Sequence, residues 1–285
     1  MKPLVAQMAS PSRAVTDLEN AFLEQAIKEA FREHANETTI THVAKALETL
    51  DDDRARDLAR MLYPYCAGGS YAKYFEGKNN VELTSRFIVL ELEELKSKKD
   101  LQSVVMLFLI YIIQQFMYLG SKDERKICII DEAWDLMGEG NAAKFIETGY
   151  RRVRKYNGAM ITITQGLDDL YGTSCGQAVA NNSDFLFFLQ QKPESLAAFK
   201  KSNRIVLDDF SFELLRTAHT MPGTYSEVFI STPTGRGIGR LLVDPFSYYL
   251  YTTTPGEVVQ VERHLSQGLS ITEAIEKCLQ ENSLS

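Results

Sequence analysis

The chain reads as an α/β protein organised around a parallel β-α-β unit. Three observations predict this. Residues 126–132, Lys-Ile-Cys-Ile-Ile-Asp-Glu, form an apolar strand that ends in two carboxylates. Residues 142–156 carry Ala142, Phe145, Ile146, Gly149, Tyr150 and Val153 at helical spacing, with Lys144, Glu147, Arg151 and Arg154 on the opposite face. Residues 159–164, Ala-Met-Ile-Thr-Ile-Thr, are β-branched and apolar, and Gln165 stands at their tip. Gly138, Gly140 and Asn141 supply the loop before the helix, with Asn141 as N-cap. Asn157-Gly158 stops it. Parallel strands joined by a helical crossover share a carboxyl edge, so Gln165 is expected beside Asp131 and Glu132.

Ligands of open α/β sheets bind at the carboxyl ends of the strands. Asp131 is placed to hold a hydrated magnesium ion beside substrate phosphates. Glu132 is placed to polarise the attacking water, and Gln165 to orient that water or to sense a γ-phosphate. The alternative is a strand whose Asp-Glu merely opens the next loop. The complementary half of such a site is a phosphate-cradling loop, Gly-x-x-x-x-Gly-Lys-Ser/Thr. These 285 residues contain none. Gly77-Lys78 is followed by Asn79, and Ala72 occupies the place of the first glycine. Without the amide cradle and its lysine, little holds the β- and γ-phosphates.

Several stretches together resemble the C-terminal ATPase domain of TraC-type conjugation ATPases, the motor subunits of type IV secretion systems. They are Gln7-Met8-Ala9-Ser10-Pro11, Phe87 to Lys96 with Asp100-Leu101-Gln102, Ile129 to Trp134, Arg151 to Gly158, Thr164-Gln165, and Arg240 to Pro245. The resemblance implies a RecA-like P-loop NTPase sheet with an inserted helical subdomain near the N-terminus. It implies ATP and Mg2+ as cofactors, a ring oligomer, and hydrolysis that powers pilus assembly and transfer of DNA or protein. In that family the Walker A loop precedes the Met-Ala-Ser-Pro segment, so the first strand and P-loop are expected outside these residues. A non-hydrolytic oligomerisation or partner-binding fragment of the same machine is the alternative.

The other elements follow in chain order. Residues 12–65 read as helical, with Leu18, Phe22, Ala26, Ile27, Ala30 and Phe31 on one face of the first helix. Thr39 or Thr41 caps a second helix, Asp51 to Asp53 opens a third, and Pro64 ends it. Tyr71, Tyr74 and Phe75 then form either a partner surface or the packing that ties the helices down. Arg86 to Leu92 reads as a strand of the main sheet, followed by Glu91, Glu93 and Glu94 near its edge, and residues 98–119 as a helix. Asp184 to Leu189 reads as a further buried strand and Phe210 to Ala218 as a helix. Thr224 to Ser231 and Gly237 to Val243 flank Pro233-Thr234-Gly235-Arg236 as an antiparallel hairpin. Residues 255–279 give one or two helices, with Ser270 or Thr272 as a cap. The expected domains are 1–80, helical subdomain and connecting loop; 81–254, α/β core; and 255–285, helical tail.

Ring motors often place an arginine from one subunit in the next subunit's site, where it stabilises transition-state charge. Arg151 and Arg154 share a helical face and are the candidates for this trans role, with Arg236 and Arg240 on the hairpin as rivals. The simpler account of Arg151 is a solvated pair with Glu147 at i,i+4.

Composition narrows the partners. The chain has 31 basic and 38 acidic residues, a net charge of −7, and 45% apolar residues. That balance argues against direct nucleic-acid binding, which favours a basic field. Cys66, Cys128, Cys175 and Cys278 are scattered and read as reduced thiols of a cytoplasmic protein. Val104 to Ile113 is ten apolar residues long, followed by two glutamines. A span needs about 20, so no transmembrane segment is read here. Association with the inner membrane is expected through partner components of the secretion system.

Overall fold

The computed structural model describes residues 1–78, 83, 85–138, 140–202 and 207–283. The chain divides into two compact units, Met1–Ile129 with Gly138–Ile161, and Ile130–Met137 with Thr162–Ser285. The boundary expected at residues 80 and 81 lies outside the described residues.

The first unit opens with helices alone: α1 (Lys2–Ala9), α2 (Asp17–His34), α3 (Ile40–Glu48), α4 (Asp53–Leu62) and α5 (Ala72–Phe75). α1 was not legible in the sequence, since eight residues with Pro3 at its start carry little periodicity. α2 begins with a reciprocal cap. The Glu19 amide donates to Thr16 Oγ1 at 3.3 Å, and the Thr16 amide donates to the Glu19 carboxylate at 2.7 Å. Asp52 caps α4 by accepting the Arg54 amide at 2.9 Å. Val5, Met8, Leu23, Leu47, Ala55 and Leu62 are buried at the centre of the core these helices share. Tyr71 and Phe75 pack onto this core, with the Phe75 ring 5.3 Å from Tyr65 in edge contact. The aromatic loop therefore serves as packing at two of its three rings, and Tyr74 stays exposed.

Residues 85–92 form no strand. Phe87, 80% exposed, and Ile88, Val89 and Leu90 stand in solvent. Their β-branched pattern was correct for a strand, but a strand forms only where a neighbour takes its amide and carbonyl groups. Among the described residues no strand does, and the Phe87 amide and the Leu92 carbonyl are taken locally, by Ser85 Oγ and the Leu95 amide. Glu91, Glu93 and Glu94 are exposed, as a solvated end requires. α6 (Lys99–Gln114) continues as one π-type turn to Leu119 and packs on α1 and on α7 (Asn141–Arg152). Lys99–Leu119, 21 residues, is long and apolar enough to cross a membrane by length and composition. This is longer than the ten-residue run in the sequence because the helix carries the two glutamines through to a second apolar run. Leu101, Val104, Leu109, Ile110 and Met117 are its buried residues.

β1 (Lys126–Ile130) and β2 (Gly158–Thr162) form a two-stranded sheet. α7 connects them and lies close to β2: a Cβ on Gly149 would stand 3.1 Å from Met160 Cε. Ala143, Phe145, Ile146 and Gly149 are its buried face, and Asn157, at φ +56°, turns the chain into β2. Gly140, rather than Asn141, occupies the N-cap position. β1 is not buried as expected. Ile127 and Ile129 are 65% and 58% exposed, because parallel strands are buried only where both faces are covered, and among the described residues the face carrying Ile127 and Ile129 is not.

In the second unit come α8 (Leu167–Tyr171), α9 (Ser174–Asn181), β3 (Leu186–Phe188), α10 (Pro193–Ser202), α11 (Asp209–Thr217), β4 (Thr220–Met221), β5 (Tyr225–Thr232) and β6 (Gly235–Leu241). β5 is the centre of an antiparallel sheet. It pairs with β3 (Phe188 opposite Phe229), with β4 (Met221 opposite Tyr225) and with β6 (Glu227 opposite Arg240). One face is sealed by Leu167, Tyr171, Leu196, Phe212 and Leu215 against Phe188 and Phe229. Phe185, Phe187 and Leu189 alternate outward, so β3 is half-buried rather than buried. α12 (Pro245–Tyr251), α13 (Pro255–Leu265) and α14 (Ile271–Ser283) follow and bury Val261, Ala274, Ile275 and Cys278 together. Ser270 caps α14 through its hydroxyl and Glu273.

Candidate nucleotide site

β1 and β2 are joined by a short ladder from their amino ends to just beyond their carboxyl ends. The Lys126 amide donates to Asn157 O at 3.1 Å, the Ile163 amide to Ile130 O at 2.9 Å, and the Ala133 amide to Ile163 O at 2.9 Å. Both strands climb in number along this ladder, so they are parallel. Asp131 and Glu132 lie between Ile130 and Ala133, which bond to Ile163 from either side. Thr164 and Gln165 leave directly from Ile163. The backbone thus brings the acidic pair and Gln165 to one edge, all three exposed.

The acidic turn has a specific local structure. The Glu132 amide donates to Asp131 Oδ1 at 2.9 Å. Glu132 itself is left-handed, φ +48° and ψ +39°. Such a conformation in a residue with a long side chain costs energy and clusters at functional sites. Ala133 and Met137, both fully buried, anchor the following 3-10 turn and keep Asp131 and Glu132 at the rim. On the other strand, the Gly166 amide donates to Asp169 Oδ2 at 2.9 Å, fixing the loop behind Gln165 at the start of α8.

The arginine candidates differ in state. Arg151 Nη2 lies 2.8 Å from Glu147 Oε1, the i,i+4 pair. Arg154 falls in the 3-10 turn Val153–Tyr156 beyond α7, exposed and without an ion pair among the described residues. The two were expected on one continuous helix, but α7 tightens after Arg152 because the left-handed Asn157 must end it within one more turn. Arg236 and Arg240 both sit on β6 and both meet carboxylates: Arg236 Nη1 lies 3.1 Å from Asp208 Oδ2, and Arg240 Nε 2.9 Å from Glu227 Oε1. The buried Glu227 was missed by sequence reading. Its signal was a lone acid at an inward position of a hairpin strand, opposite an arginine.

The cysteines are free. Burial pushes the Cys66 and Cys128 thiols up, so neither is a ready nucleophile. No group of three or more metal-ligating side chains exists among the described residues. A hydrated magnesium ion beside phosphates needs only one or two carboxylates, so the exposed Asp131 fits that kind of ion.

A parallel β-α-β unit with an acidic pair at its carboxyl edge has the arrangement in which open α/β sheets hold their ligands. The chain belongs to the TraG P-loop domain family, which it matches over residues 14–282. It is similar to protein TraC of Escherichia coli (strain K12), 29% identical over 293 residues, covering 94% of this chain and 33% of that protein. The chain therefore spans about a third of the length of that relative. The structure of VirB4 of Thermoanaerobacter pseudethanolicus superposes with a TM-score of 0.62 at 23% identity, over 86% of this chain and 69% of that one. The fold is the RecA-like P-loop α/β fold expected from the sequence.

Proposed function

We propose that this domain supplies the acidic, water-activating part of an ATP site in a conjugative type IV secretion motor. The observation that carries this reading is the Ile130–Ile163–Ala133 ladder, which sets Asp131, Glu132 and Gln165 at one sheet edge. Asp131 would hold the magnesium ion through water, Glu132 would take a proton from the attacking water, and Gln165 would orient that water. Magnesium, when bound, supplies charge neutralisation between the phosphates. The left-handed backbone at Glu132, φ +48° and ψ +39°, supports a functional role for this position.

Arg151 and Arg154 are the trans candidates carried by the first unit. Arg151 would have to release Glu147 to act, and such an exposed pair is worth only tenths of a kcal/mol, about 0.3–0.5. The assembled protein is proposed as a ring that powers pilus assembly and substrate transfer. It would sit on the cytoplasmic side of the inner membrane, held there by partner components of the secretion system. The net charge of −7 opposes a direct role in gripping DNA.

A second reading has its own observation. The 285 residues carry no Gly-x-x-x-x-Gly-Lys-Ser/Thr. On that reading the chain is a non-hydrolytic oligomerisation or partner-binding module of the same machine. Steady-state ATP hydrolysis by the chain and by Glu132→Gln separates the two. Turnover that Glu132→Gln abolishes supports the motor reading. Absence of turnover in both supports the module, and turnover untouched by Glu132→Gln contradicts the assigned base.

A further inference from the structure

α6 carries more apolar surface than its core contacts use. Leu109, Ile110 and Met117 are buried and hold it to the domain. Phe108, Tyr111, Phe116 and Leu119 are 38%, 50%, 51% and 75% exposed. Each stands one turn from the next, with the π-type turn after Gln114 taking up the extra residue between Tyr111 and Phe116. They form a stripe along one face. Large apolar side chains scattered singly need no account, but a continuous stripe marks a surface of interaction. Lys99–Leu119 is long and apolar enough to span a bilayer, yet it packs on α1 and α7, so only this face is free to meet lipid.

The stripe ends in a basic cluster. The turn after α6 and the turn after α7 meet there: the Tyr118 and Tyr156 rings lie 4.9 Å apart, and the Lys126 amide donates to Asn157 O at 3.1 Å. Burial pushes the Tyr118 phenol up and the charge of Arg152 opposes this, so Arg152 stands close to that ring. Residues 118–126 and 151–157 carry seven basic and two acidic residues, in a chain of net charge −7. On α2 and α4 exposed cations have an acid one turn away: Lys28 has Glu24, Arg32 has Glu29 and Arg60 has Asp57. Lys122, Arg125, Arg152 and Lys155 are exposed and make no ion pair among the described residues.

We propose that this face of α6 docks on an anionic lipid bilayer, with Phe116 and Leu119 entering the acyl boundary and Lys122, Arg125, Arg152 and Lys155 meeting the phosphate headgroups. The two parts of the surface match the two layers of that partner. An apolar helical stripe lying flat is covered by acyl chains, and unpaired cations beside it are drawn to the negative surface of the leaflet. Tyr111 and Tyr118 suit the boundary between the layers, since each has an apolar ring and a polar tip. A nucleic acid would use the cations but would leave Leu119 in water, because leucine offers no ring for a base to stack on. This contact goes beyond the proposed function, which brings the motor to the membrane through partner components, and it does not depend on the Asp131 site.

The test is flotation of the full chain with vesicles of phosphatidylcholine alone and with vesicles of equal parts phosphatidylcholine and phosphatidylglycerol. Binding should require phosphatidylglycerol and weaken as salt is raised. Leu119→Ser should weaken it roughly tenfold, since that side chain exchanges water for acyl chains. Lys122→Gln combined with Arg125→Gln should weaken it roughly tenfold or more, because each cation adds its own attraction to the leaflet. These positions are exposed, so the melting temperatures should match wild type. Phe31→Ser, at a side chain 56% exposed on α2, should bind as wild type. An equal loss there overturns the assigned face. No flotation with either vesicle, equal flotation with both, or wild-type binding by Leu119→Ser and by the double variant overturns the proposal. A single-stranded oligonucleotide bound by wild type, lost in the double variant and kept by Leu119→Ser, with no flotation, gives the surface to nucleic acid instead.

Discussion

The helices at the start of the chain and the two-stranded sheet of the same unit solve opposite problems. The helices bury Val5, Leu23, Leu47 and Leu62 completely. The sheet leaves Ile127, Ile129 and Ile161 exposed. The helices are joined by short local connections, so each finds its cover within a few tens of residues. The parallel strands depend on neighbours that the local chain does not provide. The completely buried side chains are concentrated in the helical core, while the proposed site lies at the rim of a sheet whose isoleucines are exposed.

The largest effect that would break this contrast is in the core. Leu62→Ala should cost about 2–5 kcal/mol in chemical denaturation, because a fully buried side chain leaves a cavity. Ile127→Thr, on the exposed sheet, should stay within about 0.5 kcal/mol. Equal losses at the two positions would mean that the sheet carries as much stability as the helices.

Gly69→Ala ranks next. A Cβ there would stand 2.2 Å from Tyr63 O and 2.6 Å from Pro64 O, both backbone atoms. The turn that docks Tyr71 and Phe75 must open, at a cost of about 1–3 kcal/mol. A melting temperature equal to wild type would remove the packing role assigned to this loop.

The cap of α2 gives a smaller effect with a pH signature. Thr16→Ala should cost about 1 kcal/mol. Glu19 is held at about 2 by its hydrogen bond from Arg13, then by the Thr16 amide. Its folded value lies below the ordinary carboxylate value of about 4.3. Its contribution is therefore complete above that pH and is lost as the pH falls toward about 2. Glu19→Gln should flatten the acid limb of the stability curve between these values, measured by urea unfolding at each pH. An unchanged limb would show that the cap is formed equally in the unfolded chain. The smallest effect belongs to Glu147→Gln, a few tenths of a kcal/mol, about 0.3–0.5, since the Arg151 pair is exposed.

The same contrast explains what could be read from sequence. α2, α3, α4, α7, the β5–β6 hairpin and the tail helices follow local periodicity and turn chemistry, and the sequence displays both. Asn157, Pro64 and Ser270 stop or start elements for reasons carried by those residues themselves. Residues 85–92 show the limit. Phe87 to Leu90 have strand propensity, yet pairing is a non-local event that propensity does not supply. Residues 98–119 were legible as one helix, which the backbone carries through Gln114-Gln115 to Leu119. The convergence of Asp131, Glu132 and Gln165 at one sheet edge was legible because a helical crossover between parallel strands brings both strand tips to the same edge. The left-handed turn at Glu132 was not, since nothing in Asp-Glu-Ala demands it. Glu227 was hidden for a related reason: a buried acid becomes visible only once its partners, His219 and Arg240, are known to converge.

The central claim is that the rim formed by Asp131, Glu132 and Gln165 holds magnesium and nucleotide. Binding of a fluorescent ATP analogue to the full chain, with and without magnesium and beside Asp131→Ala, tests it most directly. The account predicts binding that requires magnesium and is lost in Asp131→Ala. Binding indifferent to both magnesium and Asp131, or no binding at all, would contradict it.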